Sequence, residues 1–145
     1  MRTTNDRDQR PAGDGRTAIL LIAHGSREES ANRDLRELAE RLAGSGPAGR
    51  SIVVASFLEL AEPDIATGGD RCVASGAERV LMVPYFLSAG VHLRRDLTAA
   101  RDELAARHPE VEFHLGPPLG PHRLLDELVR ARIGELETSI ERGAG

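Results

Sequence analysis

The sequence predicts a single α/β domain: a parallel sheet of about four strands flanked by helices on both faces. Three observations lead there. Apolar runs of strand length alternate four times with stretches whose apolar residues keep a helical period. The connections are short and carry Gly, Pro, Ser or Asp. A chain of 145 residues is also long enough to bury a core without disulfides or a structural metal. Strict alternation implies parallel pairing, because each crossover then has room for a helix. Right-handed crossovers bring every strand's carboxyl end to one edge, where ligands bind in open α/β sheets.

The first strand is the run from Ala18 to Ala23, which stops at His24-Gly25-Ser26. From Glu29, Ala31, Leu35, Leu38, Ala39 and Leu42 keep helical spacing until Gly44-Ser45-Gly46-Pro47 ends the helix. Ser51–Phe57 is β-branched and reads as the second strand. Pro63-Asp64 suits the first turn of a second helix that carries Ile65, Ala66, Cys72 and Val73 and closes at Gly76. Gly68-Gly69 weakens that helix, at about 1 kcal/mol per glycine against alanine. Arg79–Phe86 is the third strand, ended or bent by Pro84, which cannot donate to a ladder. Leu93, Leu97, Ala100 and Leu104 form one stripe of a helix from His92 to Arg107. Val111–Leu115 is the fourth strand, followed by Gly116-Pro117-Pro118. A last helix from near Pro121 carries Leu124, Leu125, Leu128, Ile133, Leu136 and Ile140. The domain is thus expected over 17–142, with residues 1–16 a polar disordered tail and 143–145 a frayed end.

Bulk properties exclude several classes. The formal net charge of −4 argues against nucleic-acid binding, which needs a basic field. With no Trp and only three Phe and one Tyr, a base-stacking platform is not expected. No apolar stretch reaches the roughly 20 residues of a membrane span, and the N-terminus lacks the apolar core of a signal peptide. A cytoplasmic location is expected. The single cysteine, Cys72, permits no internal disulfide and reads as core.

Three polar groups fall at predicted carboxyl ends: His24-Gly25-Ser26, Glu59 through Glu62, and Ser88 through His92. Glu62, before Pro63, suits a helix N-terminus, whereas Glu59 sits between Leu58 and Leu60 and needs a partner. Two imidazoles and a carboxylate converging on one rim suit a divalent ion such as Fe2+ or Co2+. Without thiolates, a closed zinc site is not expected. Each histidine alone reads equally as a turn or cap residue. His108 reads as a solvated helix end and His114 as pointing away from the Phe113 and Leu115 face; His122 opens the last helix near the same edge. Arg27, Arg94, Arg95 and Arg123 fall near that edge too and could receive carboxylates in an acidic protein.

"AHGSR", "SFLELAEPDI", "GAERVLMVPYFLSAGVHLRRDL" and "GPPLGP", in this order, resemble the sirohydrochlorin chelatases of the short, single-domain CbiX type. The resemblance runs from about Arg16 to Glu137. It implies a chelatase-like fold with flavodoxin-like layering and insertion of Co2+ or Fe2+ into sirohydrochlorin, on the routes to cobalamin or siroheme. The family's active-site histidines match His24 and His92, and its acidic residue matches Glu59; these three would hold the metal. Ser26, Arg27, Arg94 and Arg95 become candidate contacts for substrate carboxylates. Short members resemble one half of a two-domain chelatase and act as homodimers. No cofactor is implied beyond the divalent metal substrate, with Ni2+ admitted by the same ligand types. Where the family usually continues Asp-Ile-Pro, this chain has Asp96-Leu97-Thr98.

Three other readings compete. A phosphatase or mutase with a covalent His24 usually has an arginine directly before the histidine; here Ala23 precedes it. A nucleotide-binding module needs a glycine-rich phosphate loop after the first strand, and none is present. A metal or tetrapyrrole carrier without turnover is the remaining alternative, to be separated by titration without insertion.

Overall fold

The computed structural model describes residues 16–45 and 51–143. The expectations for the tail over 1–15 and for the end over 144–145 lie outside the described residues. Eight elements alternate as β1 (Thr17–Ala23), α1 (Glu29–Gly44), β2 (Ile52–Phe57), α2 (Ile65–Ala74), β3 (Arg79–Pro84), α3 (Val91–Arg107), β4 (Glu112–Leu115) and α4 (Arg123–Glu141). All four strands are parallel, in the order β2-β1-β3-β4. The central β1 is apolar from Ala18 to Ala23 because both of its faces are covered.

Alternate residues of the strands define the two faces. On one, Leu20, Ile22, Val80, Met82 and Phe113 meet Ile65 and Cys72 of α2 and Leu97 and Leu104 of α3. On the other, Leu21, Ala55 and Phe57 meet Leu35 and Ala39 of α1. α1 lies over β1 and β2. Among the described residues, no helix or strand packs along α4, and α4 buries no residue.

Gly68 and Gly69 turn out to be packing residues. A Cβ on Gly68 would lie 2.9 Å from Leu20, and one on Gly69 would lie 2.6 Å from Leu104. Their absent side chains let α2 sit close to β1 and α3, which explains glycines that otherwise disfavour a helix. The N-cap of α2 is Asp64 rather than Glu62: its carboxylate accepts from the Thr67 N–H at 2.8 Å. That bond holds the Asp64 carboxyl below its ordinary value. β3 stops at Pro84, as its missing donor requires. Thr98, which stands where proline is usual, leaves α3 unbroken and donates its hydroxyl to the Arg94 carbonyl at 2.9 Å.

His108 is bound rather than solvated. Its Nε2 lies 2.8 Å from the Asp70 carboxylate, which Arg107 also holds, tying α2 to the end of α3. Both partners keep the Asp70 carboxyl below its usual range, the His108 hydrogen bond most. His114 is exposed beside Glu112, away from buried Phe113, as its place in the strand requires. Arg16, assigned by sequence to the tail, accepts from the Glu78 and Arg79 N–H groups through its carbonyl.

Candidate active site

The carboxyl edge is assembled from the loops after β1, β2 and β3. The chain leaving β2 keeps pairing with the end of β1: Leu58 N–H donates to the Ala23 carbonyl at 2.9 Å, and Glu59 N–H to the His24 carbonyl at 3.0 Å. Gly25 is required for this approach. It has a φ of +90°, and a Cβ there would lie 1.7 Å from the Glu59 carbonyl oxygen. His24 and Glu59 are therefore neighbours by main-chain bonding, and both side chains are exposed.

Asn32 fixes the turn from below. It is 2% exposed; its Oδ1 accepts from Ser26 N–H at 2.9 Å, and its Nδ2 donates back to the Ser26 carbonyl at 2.8 Å. Ser26 Oγ in turn accepts from Glu28 N–H at 3.0 Å, so this hydroxyl shapes the loop. Nothing in the motif reading singled out Asn32. A signal was present all the same: with Leu35 and Ala39 it completes the buried stripe of α1, where a polar residue is out of place.

From the other side, Phe86 closes the site. Its ring lies 4.8 Å from the His24 imidazole, centroid to centroid, tilted by 39°. Phe86 belongs to the segment that leads into α3, where His92 is the second residue, exposed at the first turn. The three predicted residues thus occupy one edge, His24 bonded to the Glu59 loop and stacked on the His92 segment. Among the described residues, no three His, Cys, Asp or Glu side chains are grouped closely enough to hold a metal ion.

The rest of the rim is apolar and open. Leu60, Tyr85, Leu87 and Val91 are exposed there, Leu60 with a φ of 63°. The arginines divide in role. Arg94 donates from Nε to the Ala89 carbonyl at 3.1 Å, securing the loop before α3. Arg94 and Arg95 line a shallow groove along α3 with Val91, Thr98 and Asp102. Arg27 is exposed beside the His24 turn, and Arg123 pairs with Glu127 one turn into α4. His122 caps α4, its Nδ1 accepting from Leu124 N–H at 3.0 Å.

Fold and edge together define a parallel α/β domain with histidines at the carboxyl edge of its sheet. The sequence profile of the CbiX family matches residues 18–136, and the chain belongs to that family. It is 33% identical over 126 residues to the chloroplastic sirohydrochlorin ferrochelatase of Arabidopsis thaliana, covering 87% of this chain and 55% of that protein. A putative cobalamin biosynthesis CbiX protein from Marinobacter aquaeolei superposes with a TM-score of 0.71 at 33% identity, over 87% of this chain and 98% of that one. The sirohydrochlorin chelatase SirB from Bacillus subtilis subspecies spizizenii, in complex with cobalt, gives 0.72 at 31% identity, over 83% of this chain and 50% of that one. The chain spans between 40% and 55% of the length of three of the curated relatives it matches, and 95% or more of two others. No helix among the described residues is long and apolar enough to cross a membrane.

Proposed function

We infer that the chain is a sirohydrochlorin chelatase that inserts Co2+ or Fe2+, with Ni2+ admitted by the same donors. The observation that carries this reading is the bonding of the His24 turn to the Glu59 loop, with the segment leading to His92 stacked on it, in a CbiX-family chain. His24, His92 and Glu59 are assigned the metal, at donors weak enough to release it. Insertion removes two N–H protons from the macrocycle while the metal exchanges water for ring nitrogens. The imidazoles of His24 and His92 are assigned to accept those protons, and Glu59 to pass them to solvent. The exposed Leu60, Tyr85, Leu87 and Val91 suit the flat face of a tetrapyrrole. Ser26, Arg27, Arg94 and Arg95 are assigned to its carboxylates. No further cofactor enters this reading, and a cytoplasmic location is kept with it. A homodimer, which the family resemblance implies for short members, is part of the proposal.

The test is anaerobic incubation of the protein with sirohydrochlorin and each metal, following the spectral change on insertion against a protein-free control. Acceleration is expected, and His24→Ala or His92→Ala should abolish it in a folded protein. Glu59→Gln should slow insertion more than Glu62→Gln does. Tight macrocycle binding with no acceleration for any metal would replace this reading with the carrier.

A further inference from the structure

The loop that carries Glu59 is held from outside itself. Residues 58–62 contain no helix or strand, and Leu60 has a φ of 63°, a left-handed conformation uncommon for any residue but glycine. Such a residue persists only where its surroundings fix the chain around it. Before Leu60, the Glu59 N–H is bonded to the His24 carbonyl. After it, the Phe57 N–H donates to the Pro63 carbonyl at 2.9 Å and closes the loop, while Ala61 packs on the α1 side of the core. One more bond arrives from a helix. Arg36 Nη2 donates to the Glu62 carbonyl at 3.1 Å.

The same guanidinium reaches the His24 turn through a carboxylate. Arg36 Nη1 donates to Glu29 Oε1, and Glu29 Oε2 accepts from Asn32 Nδ2 at 3.3 Å. Asn32 in turn holds both main-chain groups of Ser26. Glu29, Asn32 and Arg36 stand at helical spacing on one stripe of α1. Both donors keep the Glu29 carboxyl below its ordinary value, Arg36 most. A chain of bonds thus runs from Ser26 after β1, through Asn32, Glu29 and Arg36, to Glu62 after β2. Packing steadies the arginine: its guanidinium carbon lies 5.2 Å from the centre of the buried Phe57 ring. An exposed ion pair contributes little to stability by itself. The planar fork nevertheless aims two donors at two fixed acceptors, one on the helix and one on the loop, and so sets geometry.

We propose that Arg36 is a positioning residue for metal insertion, fixing the Glu59 loop against the turn that bears His24. A bond on each side of Leu60 sets the direction in which Glu59 projects. Arg36 itself lines the flank between α1 and β2, with Ala39, Val53 and Ala55, apart from the groups assigned to the metal and the macrocycle. The role rests on the chelatase reading for its chemistry, whereas the restraint is a property of the fold.

Native-state hydrogen exchange tests the restraint without substrate. In Arg36→Ala the Glu59 and Ala61 amides should exchange at least about tenfold faster, while those of Leu20 and Ile22 in β1 keep their rates. Unchanged rates at Glu59 and Ala61 overturn the proposal, and so does a uniform rise that includes β1. Arg36→Lys keeps the stem and the charge, and serves where Arg36→Ala does not fold. The same two amides should speed up, since an ammonium does not hold both acceptors in one plane. Turnover then separates positioning from stability. Arg36→Ala alone should lower kcat about tenfold or more and leave the KM for sirohydrochlorin within about twofold. Added to Glu59→Gln, it should lower kcat by less than about twofold, because its effect passes through Glu59. Equal factors in the two backgrounds mean that Arg36 acts elsewhere and overturn the proposal. If the unaltered chain inserts no metal, the chelatase reading fails, and the exchange rates still decide whether Arg36 sets the loop.

Discussion

Ser26 is held at both its N–H and its carbonyl by one buried amide, and the side chain that does this lies outside the motif it serves. Replacing Asn32 by alanine leaves those two main-chain groups without their partner, at a cost of about 1–3 kcal/mol. Asn32→Ala should lower the urea midpoint accordingly and slow metal insertion more than the stability loss explains, since the His24 turn loosens first. Equal losses in both would make Asn32 merely structural. The Asp70 carboxyl offers a second residue-scale test. Its pKa is lowered from an ordinary value of 3.8, chiefly by His108 and then by Arg107. A lowered folded value means its contribution is complete above about pH 4 and lost as pH falls through the lower value. Asp70→Asn should flatten the pH dependence of stability below about pH 4 and leave its shape near neutrality unchanged. Acid titration of the thermal midpoint decides this. These partners were hidden in the sequence because Asp70 and His108 are 38 positions apart and only the packing of α2 on α3 joins them.

At the scale of elements, the order of strands and helices was readable, since period two and period 3.6 alternate cleanly along the chain. Helix starts were less so. Glu62 and Asp64 both precede α2, and only the position of the Thr67 N–H decides that Asp64 caps it. The glycines of α2 were misjudged for a related reason: propensity is local, and their value lies in what approaches them. Gly69→Ala should improve helix propensity by about 1 kcal/mol, yet it drives a methyl into the side chain of Leu104, which is buried in the core. A net destabilisation of about 1–3 kcal/mol is expected from thermal unfolding. Gain of stability would mean that α3 can shift outward freely. The stripe of α4 was also legible, but its exposure was not, because an apolar stripe does not say which surface it covers.

For the whole molecule, the proposed homodimer would make activity depend on concentration. Insertion rate per chain should fall on dilution below the dimer dissociation constant and recover on reconcentration, whereas a self-sufficient chain holds its rate. The three candidate site residues fall at one edge because topology alone gathers strand ends there; their spacing across that edge depends on loops that periodicity does not describe. Those loops differ in how they are joined. His24 and Glu59 share a main-chain hydrogen bond, and Gly25 leaves no clearance between their segments, so they move as one body. His92 rides on a separate helix, whose leading segment meets that body through the Tyr85 N–H on the Ile22 carbonyl and the Phe86 ring on His24. The His92 side of the edge is thus tied less directly to His24 than the Glu59 side is: among the described residues no hydrogen bond joins α3's first turn to the His24 turn, whereas Glu59 N–H bonds the His24 carbonyl itself. Under the proposed function, a metal held between His24, Glu59 and His92 would be released by a shift of α3's first turn that leaves the His24–Glu59 pairing intact.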